Sequence, residues 1–171
     1  MSGKGNVFAA AVFRKDSPDL SRKEKHLVLY RPADKGNLGT ILRTALGFGF
    51  LDIGVIHPAA DYFDPHVIRA SMGALFSLRV KSYDSFNSYR EEHVNHRLFP
   101  FMLTGAISPE SAAKEIKGPY TLIMGSEGAG LPEEFASLGQ AVKIRHHDSI
   151  DSLNLAVAAG IGMYVFSEHP L

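Results

Sequence analysis

The sequence predicts an α/β domain built on an open, mostly parallel sheet with helices on both faces. From His26 onward, short apolar runs alternate with longer segments of helical character, a pattern typical of parallel β–α units. The length of 171 residues fits one domain that can bury a sizeable core. We therefore expect one domain over residues 26–171, preceded by an N-terminal extension over residues 1–25, which is largely polar or charged from residue 14.

Six apolar runs are predicted to be strands, because each has the length and composition of a strand in a parallel sheet. In chain order they are HLVLY (26–30), LDIGVIH (51–57), SLRVKSY (77–83), LFPFMLT (98–104), YTLIMG (120–125) and AVKIRH (141–146).

Helical patterns lie between and after these runs, and four of them begin with a residue that favours the N-cap position. The predicted helices cover residues 37–49, 64–76, 85–97, 108–116 and 152–166, with a short helix opened by Pro132. The predicted N-caps are Asn37, Asp64, Ser108 and Ser152.

Composition excludes several classes of function. The formal net charge is zero, so any surface that binds nucleic acid must be local. There are no cysteines, which excludes disulfides, thiolate metal sites and a cysteine nucleophile. The apolar stretch 153–166 is shorter than the roughly 20 residues that span a bilayer, and no signal peptide is evident, so we expect a cytoplasmic protein without a membrane partner.

We predict no metal site. The adjacent His146 and His147, followed by Asp148, are the obvious candidates. On the strand predicted there, neighbouring side chains point to opposite faces, so the two imidazoles would not bind one ion.

Three polar or glycine-rich loops follow predicted strands, and ligands of such sheets bind at the carboxyl ends of the strands. The loops are RPADKGNLGTILRTA (31–45), GSEGAGLPEE (125–134) and HHDSIDSLN (146–154). The second has the spacing G-x-x-G-x-G, which matches neither the dinucleotide fingerprint nor a P-loop. This loop is either a flexible turn or a loop that binds a ligand through its backbone. Its carboxylate, Glu127, suits a ligand with hydroxyls or a cationic centre better than a phosphate.

Arg43 follows Asn37 by six residues in the first predicted helix. Its apolar neighbours leave one face of the helix for it. There it is either a solvated side chain or a group that meets an anion near the helix N-terminus.

Together the three loops resemble the motifs of the SpoU (TrmH-like) RNA 2′-O-ribose methyltransferases of the SPOUT superfamily. The first motif, N-x-G-x-x-x-R-x-A, is similar to NLGTILRTA (37–45). The second, an apolar strand followed by G-x-E-x-x-G-L, is similar to LIMGSEGAGL (122–131), and the third is similar to DSLNLAVAAGIGMY (151–164).

The resemblance implies a C-terminal trefoil knot, a homodimer, and transfer of methyl from S-adenosylmethionine (SAM) to a ribose 2′-hydroxyl of tRNA or rRNA. Arg43 would act on the hydroxyl, either as a base or, since arginine normally stays protonated, as a cation that positions the RNA. The resemblance assigns Asn37, Glu127, Ser152 and Asn154 to orientation of the reacting groups. The implied cofactor contacts are Gly125, Ser126, Gly128, Gly130, Leu131, Ile144 and Leu153.

One departure and one alternative stay open. Where relatives often have proline and an apolar residue at the start of the third loop, this chain has Arg145, His146 and His147, so the local shape can differ. The alternative function is a non-catalytic RNA-binding or assembly module that keeps the knotted fold.

Overall fold

The structure, a computed structural model, describes residues 12–105 and 107–168 and is centred on a five-stranded sheet. All four strand pairings are parallel, and the strand order is β3-β2-β1-β5-β4. The strands are β1 (His26–Tyr30), β2 (Asp52–Ile56), β3 (Arg79–Tyr83), β4 (Arg97–Pro100) and β5 (Tyr120–Met124). The predicted parallel α/β architecture is therefore confirmed.

Within the described residues, six α-helices cover both faces of the sheet. They are α1 (Lys35–Gly47), α2 (Pro65–Ala70), α3 (Phe86–Glu92), α4 (Pro109–Ala113), α5 (Phe135–Leu138) and α6 (Leu155–Ser167). Within β1, Leu27 and Leu29 pack into the core beneath α1, α2, α4 and α6, whereas Val28 packs into the smaller core beneath α3 and α5. This alternation follows from the two-residue period of a strand.

The predicted sixth strand, residues 141–146, is wrong. This segment makes isolated parallel bridges through Val142, one to Phe101 and one to Ile107, and then continues without a ladder. Val142 N donates to Pro100 O (2.8 Å), and Lys143 N donates to Ile107 O (2.8 Å). The segment thus pairs with the end of β4 only as far as Val142 and then with residue 107 of the loop that follows β4, so no regular ladder continues.

Two predicted N-caps are also wrong. Asp34, not Asn37, caps α1 by accepting from Asn37 N (2.7 Å). Asn154, not Ser152, caps α6 by accepting from Ala156 N (2.9 Å) and Val157 N (3.3 Å). In both cases the true cap lies at the residue whose side-chain oxygen reaches the free N–H groups of the first turn. The caps at Asp64 and Ser108 are confirmed.

The predicted helix over residues 64–76 is interrupted. Helix α2 ends at Ala70, and the backbone then takes positive φ at Met72 (51°) and Gly73 (84°). A 3₁₀ turn, Ala74–Ser77, completes the connection to β3. A left-handed residue cannot continue a right-handed helix, so glycine at 73 is compatible with the break.

The described part of the extension, residues 12–25, packs on the domain. The ring of Phe13 lies edge-on to that of Phe76 (centroids 4.9 Å apart), and Leu20 is buried. The backbone N of Ser21 donates to the buried carboxylate of Asp52 (2.9 Å). Residues 1–11 of the predicted extension, and residues 169–171 of the predicted domain, lie outside the described residues. In the part of the chain that is described, no helix combines the length and apolarity that crossing a bilayer requires.

Candidate active site

The loops after β1 and β5 meet at the carboxyl edge of the sheet because of the strand order. Strands β1 and β5 are hydrogen-bonded neighbours at its centre, so the loops that leave them emerge side by side. The chain also reverses its direction of winding here, since β2 and β3 lie on one side of β1 and β5 and β4 on the other. Such a switch point is where open α/β sheets bind ligands.

The glycine loop after β5 folds back on itself. Ser126 and Gly130 exchange backbone hydrogen bonds of 3.2 and 3.0 Å. Gly128 (φ 87°) and Gly130 (φ 67°) have left-handed backbones. A Cβ on Gly125 would collide with the backbone of Gly130 and Leu131, so the close fold of this loop requires glycine there.

Glu127 joins the glycine loop to the loop after β1. Its carboxylate accepts from Ala33 N (3.0 Å), Asp34 N (3.2 Å) and the side-chain amide of Asn37 (3.2 Å). Burial alone would raise the pKa of Glu127, but hydrogen bonds from these groups and from its own backbone outweigh burial and hold that pKa below its ordinary value. Glu127 is therefore ionised at neutral pH and acts as a cross-link.

The third loop joins the same network through two asparagines. The side-chain amide of Asn154 donates to Asn37 Oδ1 (3.1 Å), while Asn154 Oδ1 caps α6. A continuous hydrogen-bonded chain thus runs from Glu127 through Asn37 to Asn154, which are far apart in sequence. Because Asp34 provides the cap of α1, the side chain of Asn37 is available for this role.

A cavity of about 250 Å³ opens beside this network. All seven residues predicted to contact the cofactor line it: Gly125, Ser126, Gly128, Gly130, Leu131, Ile144 and Leu153. Glu127 and Ser152 line it as well, whereas Asn37 and Asn154 are linked to it through Glu127.

Arg43 lies apart from the cavity. It is exposed on α1 and is not among the described residues that line the cavity wall. The structure therefore brings four of the five predicted catalytic residues together and leaves the fifth outside the site of the same chain.

Sequence reasoning missed one wall of the cavity. Residues 101–104, directly after β4, line it together with Met124 and His146. We predicted residues 101–104 as the end of a strand, but Pro100 ends β4 and the chain turns. Proline has no N–H for a ladder and is confined to edge strands or irregular positions, so Pro100 was a signal against a regular strand through residue 104.

Comparison with known proteins gives the family. The model of the SpoU rRNA methylase family matches residues 24–164. The chain belongs to the SpoU rRNA methylase family. This family member is 34% identical over 166 residues to the 23S rRNA (uridine(2479)-2'-O)-methyltransferase of Streptomyces viridochromogenes, with 90% of this chain and 58% of that protein aligned.

Solved structures agree with the SpoU assignment. One, described as giving insights into the 2-OH methylation of C/U34 on tRNA, superposes with a TM-score of 0.78 at 30% identity and covers 87% of this chain and 97% of its own. The AdoMet-bound rRNA methyltransferase of Sinorhizobium meliloti has a TM-score of 0.78 at 31% identity, covering 91% of this chain and 59% of its own. The chain spans about half the length of the curated relatives it matches.

Proposed function

We propose that the protein is a SAM-dependent RNA methyltransferase that modifies a ribose 2′-hydroxyl of tRNA or rRNA. One observation carries this proposal. Of three sequence-distant loops that each match a motif of the family, two line one cavity. The first loop is joined to both by the hydrogen bonds of Asn37 with Glu127 and Asn154. Since its substrate would be tRNA or rRNA, we also infer that it acts in the cytoplasm.

The cavity fits the cofactor in size and chemistry. At about 250 Å³ it is close to the lower end of small-molecule sites and is open to solvent, so a ligand need not be fully enclosed. Its wall combines apolar side chains, such as Leu131, Val142 and Leu153, with the exposed backbone of the glycine loop. The ionised Glu127 supplies a negative charge, which favours the positively charged sulfonium of SAM.

Bound SAM supplies an electrophilic methyl group on a positively charged sulfur. The ribose oxygen would accept this methyl group, neutral S-adenosylhomocysteine would leave, and the hydroxyl proton would pass to solvent water. Glu127, Asn37 and Asn154 join the three loops by hydrogen bonds, which would hold bound ribose and cofactor in a fixed relative orientation. Ser152, at the cavity wall, is placed to orient the ribose or the cofactor.

We propose that the enzyme is a homodimer and that Arg43 serves the cavity of the partner copy. Val157 and Tyr164 are seven residues apart on α6 and are 52% and 51% exposed, which leaves an apolar stripe open. Helix α1 packs beside α6, and Thr44 faces Gly160 across their contact. A second copy bound to this stripe would lie next to Arg43.

A mixing experiment tests this arrangement. Arg43→Ala and Gly125→Ala protomers should each be inactive, the first for lack of the arginine and the second for lack of a cofactor site. Co-expressed with distinct tags, they should form heterodimers in which one site has both functional parts. Heterodimers as inactive as the two parents would contradict a shared site.

We also propose the C-terminal trefoil knot of the family. Val142 is bridged on one side to Phe101 and on the other to Ile107, so the loop between β4 and α4 wraps around the chain at that point. Gly105 in this loop passes so close to the backbone of Val142 that a Cβ would lie 2.5 Å from the carbonyl carbon. Such wrapping is what a threaded chain requires.

The decisive experiment measures methyl transfer to RNA. When the purified protein is added, total RNA from a strain that lacks this protein should accept labelled methyl from SAM. Mapping of 2′-O-methyl sites should identify one position that is methylated in wild-type RNA and unmethylated in RNA from that strain. Calorimetry with SAM and with S-adenosylhomocysteine should give binding to the folded protein. Binding of RNA without cofactor binding or methyl transfer would instead support the non-catalytic module.

A further inference from the structure

Three histidines form a buried cluster at the end of the sheet opposite the cavity. His26 begins β1, His93 follows α3, and His96 precedes β4; the three residues are 0%, 4% and 7% exposed. The ring centroids are 4.6 Å apart for His26–His93, 4.3 Å for His26–His96 and 5.2 Å for His93–His96. One ring nitrogen from each lies within 4.8 Å of one from each of the others.

Backbone carbonyls determine the tautomers of two of these rings. His26 Nε2 faces Ser21 O at 2.6 Å, and His96 Nε2 faces Arg22 O at 3.3 Å. A carbonyl oxygen only accepts, so both Nε2 atoms carry the proton and donate it. In each ring Nδ1 is left with a lone pair.

The third ring has the same tautomer for a different reason. Tyr83 donates its hydroxyl proton to Glu92 Oε2 (3.1 Å), because a carboxylate accepts only. The phenol oxygen can then only accept from His93 Nε2 (3.3 Å), which therefore carries a proton. Nδ1 of His93 is buried, and the described residues offer it no hydrogen-bond partner.

The remaining hydrogen bonds of the cluster are one proton short. Three contacts run in a row: His26 Nδ1 to Tyr89 OH (2.9 Å), Tyr89 OH to Thr121 Oγ1 (2.7 Å), and Thr121 Oγ1 to His96 Nδ1 (3.0 Å). Only the two hydroxyls have protons to give, so one contact brings lone pair against lone pair. Together with the unpartnered Nδ1 of His93, the cluster therefore has two unsatisfied places, a costly arrangement in the interior.

A cation would complete this cluster, and a proton is a poor candidate. Burial, reinforced by the neighbouring imidazoles, lowers the pKa of His26 to about 3 and that of His93 to about 4, and burial also lowers the pKa of His96. The rings are therefore neutral at physiological pH. Neutral imidazole with a free lone pair is the form that binds metal ions.

We propose that His26, His93 and His96 bind a divalent transition-metal ion, Zn²⁺ in the first instance, through their Nδ1 atoms. Three imidazoles suit Zn²⁺, and the fourth position falls to a water molecule or to the hydroxyl of Thr121. Tetrahedral geometry at Zn–N distances of about 2.1 Å needs nitrogens about 3.4 Å apart. The candidate nitrogens lie within 4.8 Å of one another, so the rings would draw closer on metal binding. Each Nε2–H already donates to an outer oxygen, as metal-bound histidines do.

The position of the cluster indicates a structural role. Thr121 and Gly125 are four residues apart along β5, so the cluster lies about 13 Å from the cofactor cavity. Through Ser21 and Arg22 it also ties the N-terminal extension to the sheet. A second cavity, of about 460 Å³, is lined by His93 and His96 and provides a route of entry.

Metal analysis of the untagged protein tests the proposal. After incubation with Zn²⁺ and dialysis, elemental analysis should find one Zn²⁺ per chain, and Co²⁺ in its place should give the intense visible absorption of tetrahedral cobalt. Zn²⁺ at one hundred times its Kd should raise the Tm by about 5 to 10 °C. Mg²⁺, which prefers oxygen ligands, should not raise it. No retained metal and no Zn²⁺-specific Tm shift would overturn the proposal.

Variants locate the site independently of methyl transfer. His93→Ala should weaken Zn²⁺ binding about 100-fold or more, and His93→Gln, which better preserves volume, should do the same. His66→Ala, an exposed histidine outside the cluster, is the matched control and should keep the metal. The double variant His146→Ala, His147→Ala should keep it too. Loss of metal in that double variant with retention in both His93 variants would assign the metal to the third loop and refute the cluster.

Discussion

Removal of the Glu127 carboxylate should loosen the active site and the fold together. The carboxylate takes three donors at 3.0 to 3.2 Å: the backbone N–H groups of Ala33 and Asp34, and the amide of Asn37. A hydrogen bond to a charged group contributes roughly 1.5 to 3 kcal/mol when short and buried. These bonds are long and Glu127 is half-buried, so about 1 kcal/mol each is the appropriate scale.

Two substitutions separate shape from charge. Glu127→Ala loses all three bonds and should lower the free energy of unfolding by about 3 kcal/mol. In Glu127→Gln the amide oxygen can keep two donors, but its NH₂ group opposes the third, so about 1 to 2 kcal/mol should be lost. Urea denaturation measures both changes. Glu134→Gln, which removes an exposed carboxylate that makes no cap hydrogen bond, is the control for charge.

The pH dependence gives an independent check. The pKa of Glu127 is lower in the folded protein than its ordinary value of 4.5. Its stabilisation is therefore fully present above pH 4.5 and is lost as pH falls through the folded pKa. The stability gap between wild type and Glu127→Gln should close in acid. A Glu127→Ala protein as stable and as active as wild type would refute the cross-link.

Three further predictions concern the cavity, the arginine and the interface. Gly125→Ala should weaken SAM binding at least about tenfold in calorimetry because its Cβ meets backbone, whereas Gly47→Ala, whose Cβ meets nothing within 4 Å, should not. Arg43→Ala should lower the rate of single-turnover methyl transfer by a factor of about 10² to 10³, with SAM affinity unchanged. Arg43→Lys should keep part of the rate if the arginine acts only as a cation. It should keep almost none if the planar guanidinium or proton removal is needed. Val157→Glu should convert dimer to monomer in light scattering, and an unchanged dimer would move the interface elsewhere.

Periodicity and motif order were sufficient to predict all five strands of the sheet and the three motif loops, although they also predicted a sixth strand that does not form. Local preference was not sufficient to choose between neighbouring caps. Asp34 and Asn37 both suit an N-cap, and so do Ser152 and Asn154. The choice at α1 places Asn37 against Glu127, ninety residues away, which no local pattern contains.

The same limit explains why residues 141–146 were wrongly predicted as a strand and why the histidine cluster was not predicted. Residues 141–146 have the composition of a strand, but the space beside them is occupied by the loop that contains Phe101 and Ile107. His93 and His96 have a spacing that a metal site could use, yet their third member, His26, is distant in sequence and lies at the start of another strand. Tertiary neighbours, not composition, decide both outcomes.

The placement of Arg43 follows from the spacing of its own motif. Six residues separate it from Asn37, and at about 100° per residue on a helix their side chains diverge by about 120°. With Ile41, Leu42 and Ala45 buried, Arg43 is directed outward while Asn37 turns towards Glu127. One copy of α1 therefore cannot easily direct both side chains at one reacting oxygen. This placement supports the proposed homodimer, in which Asn37 would help to build one site and Arg43 would complete the other.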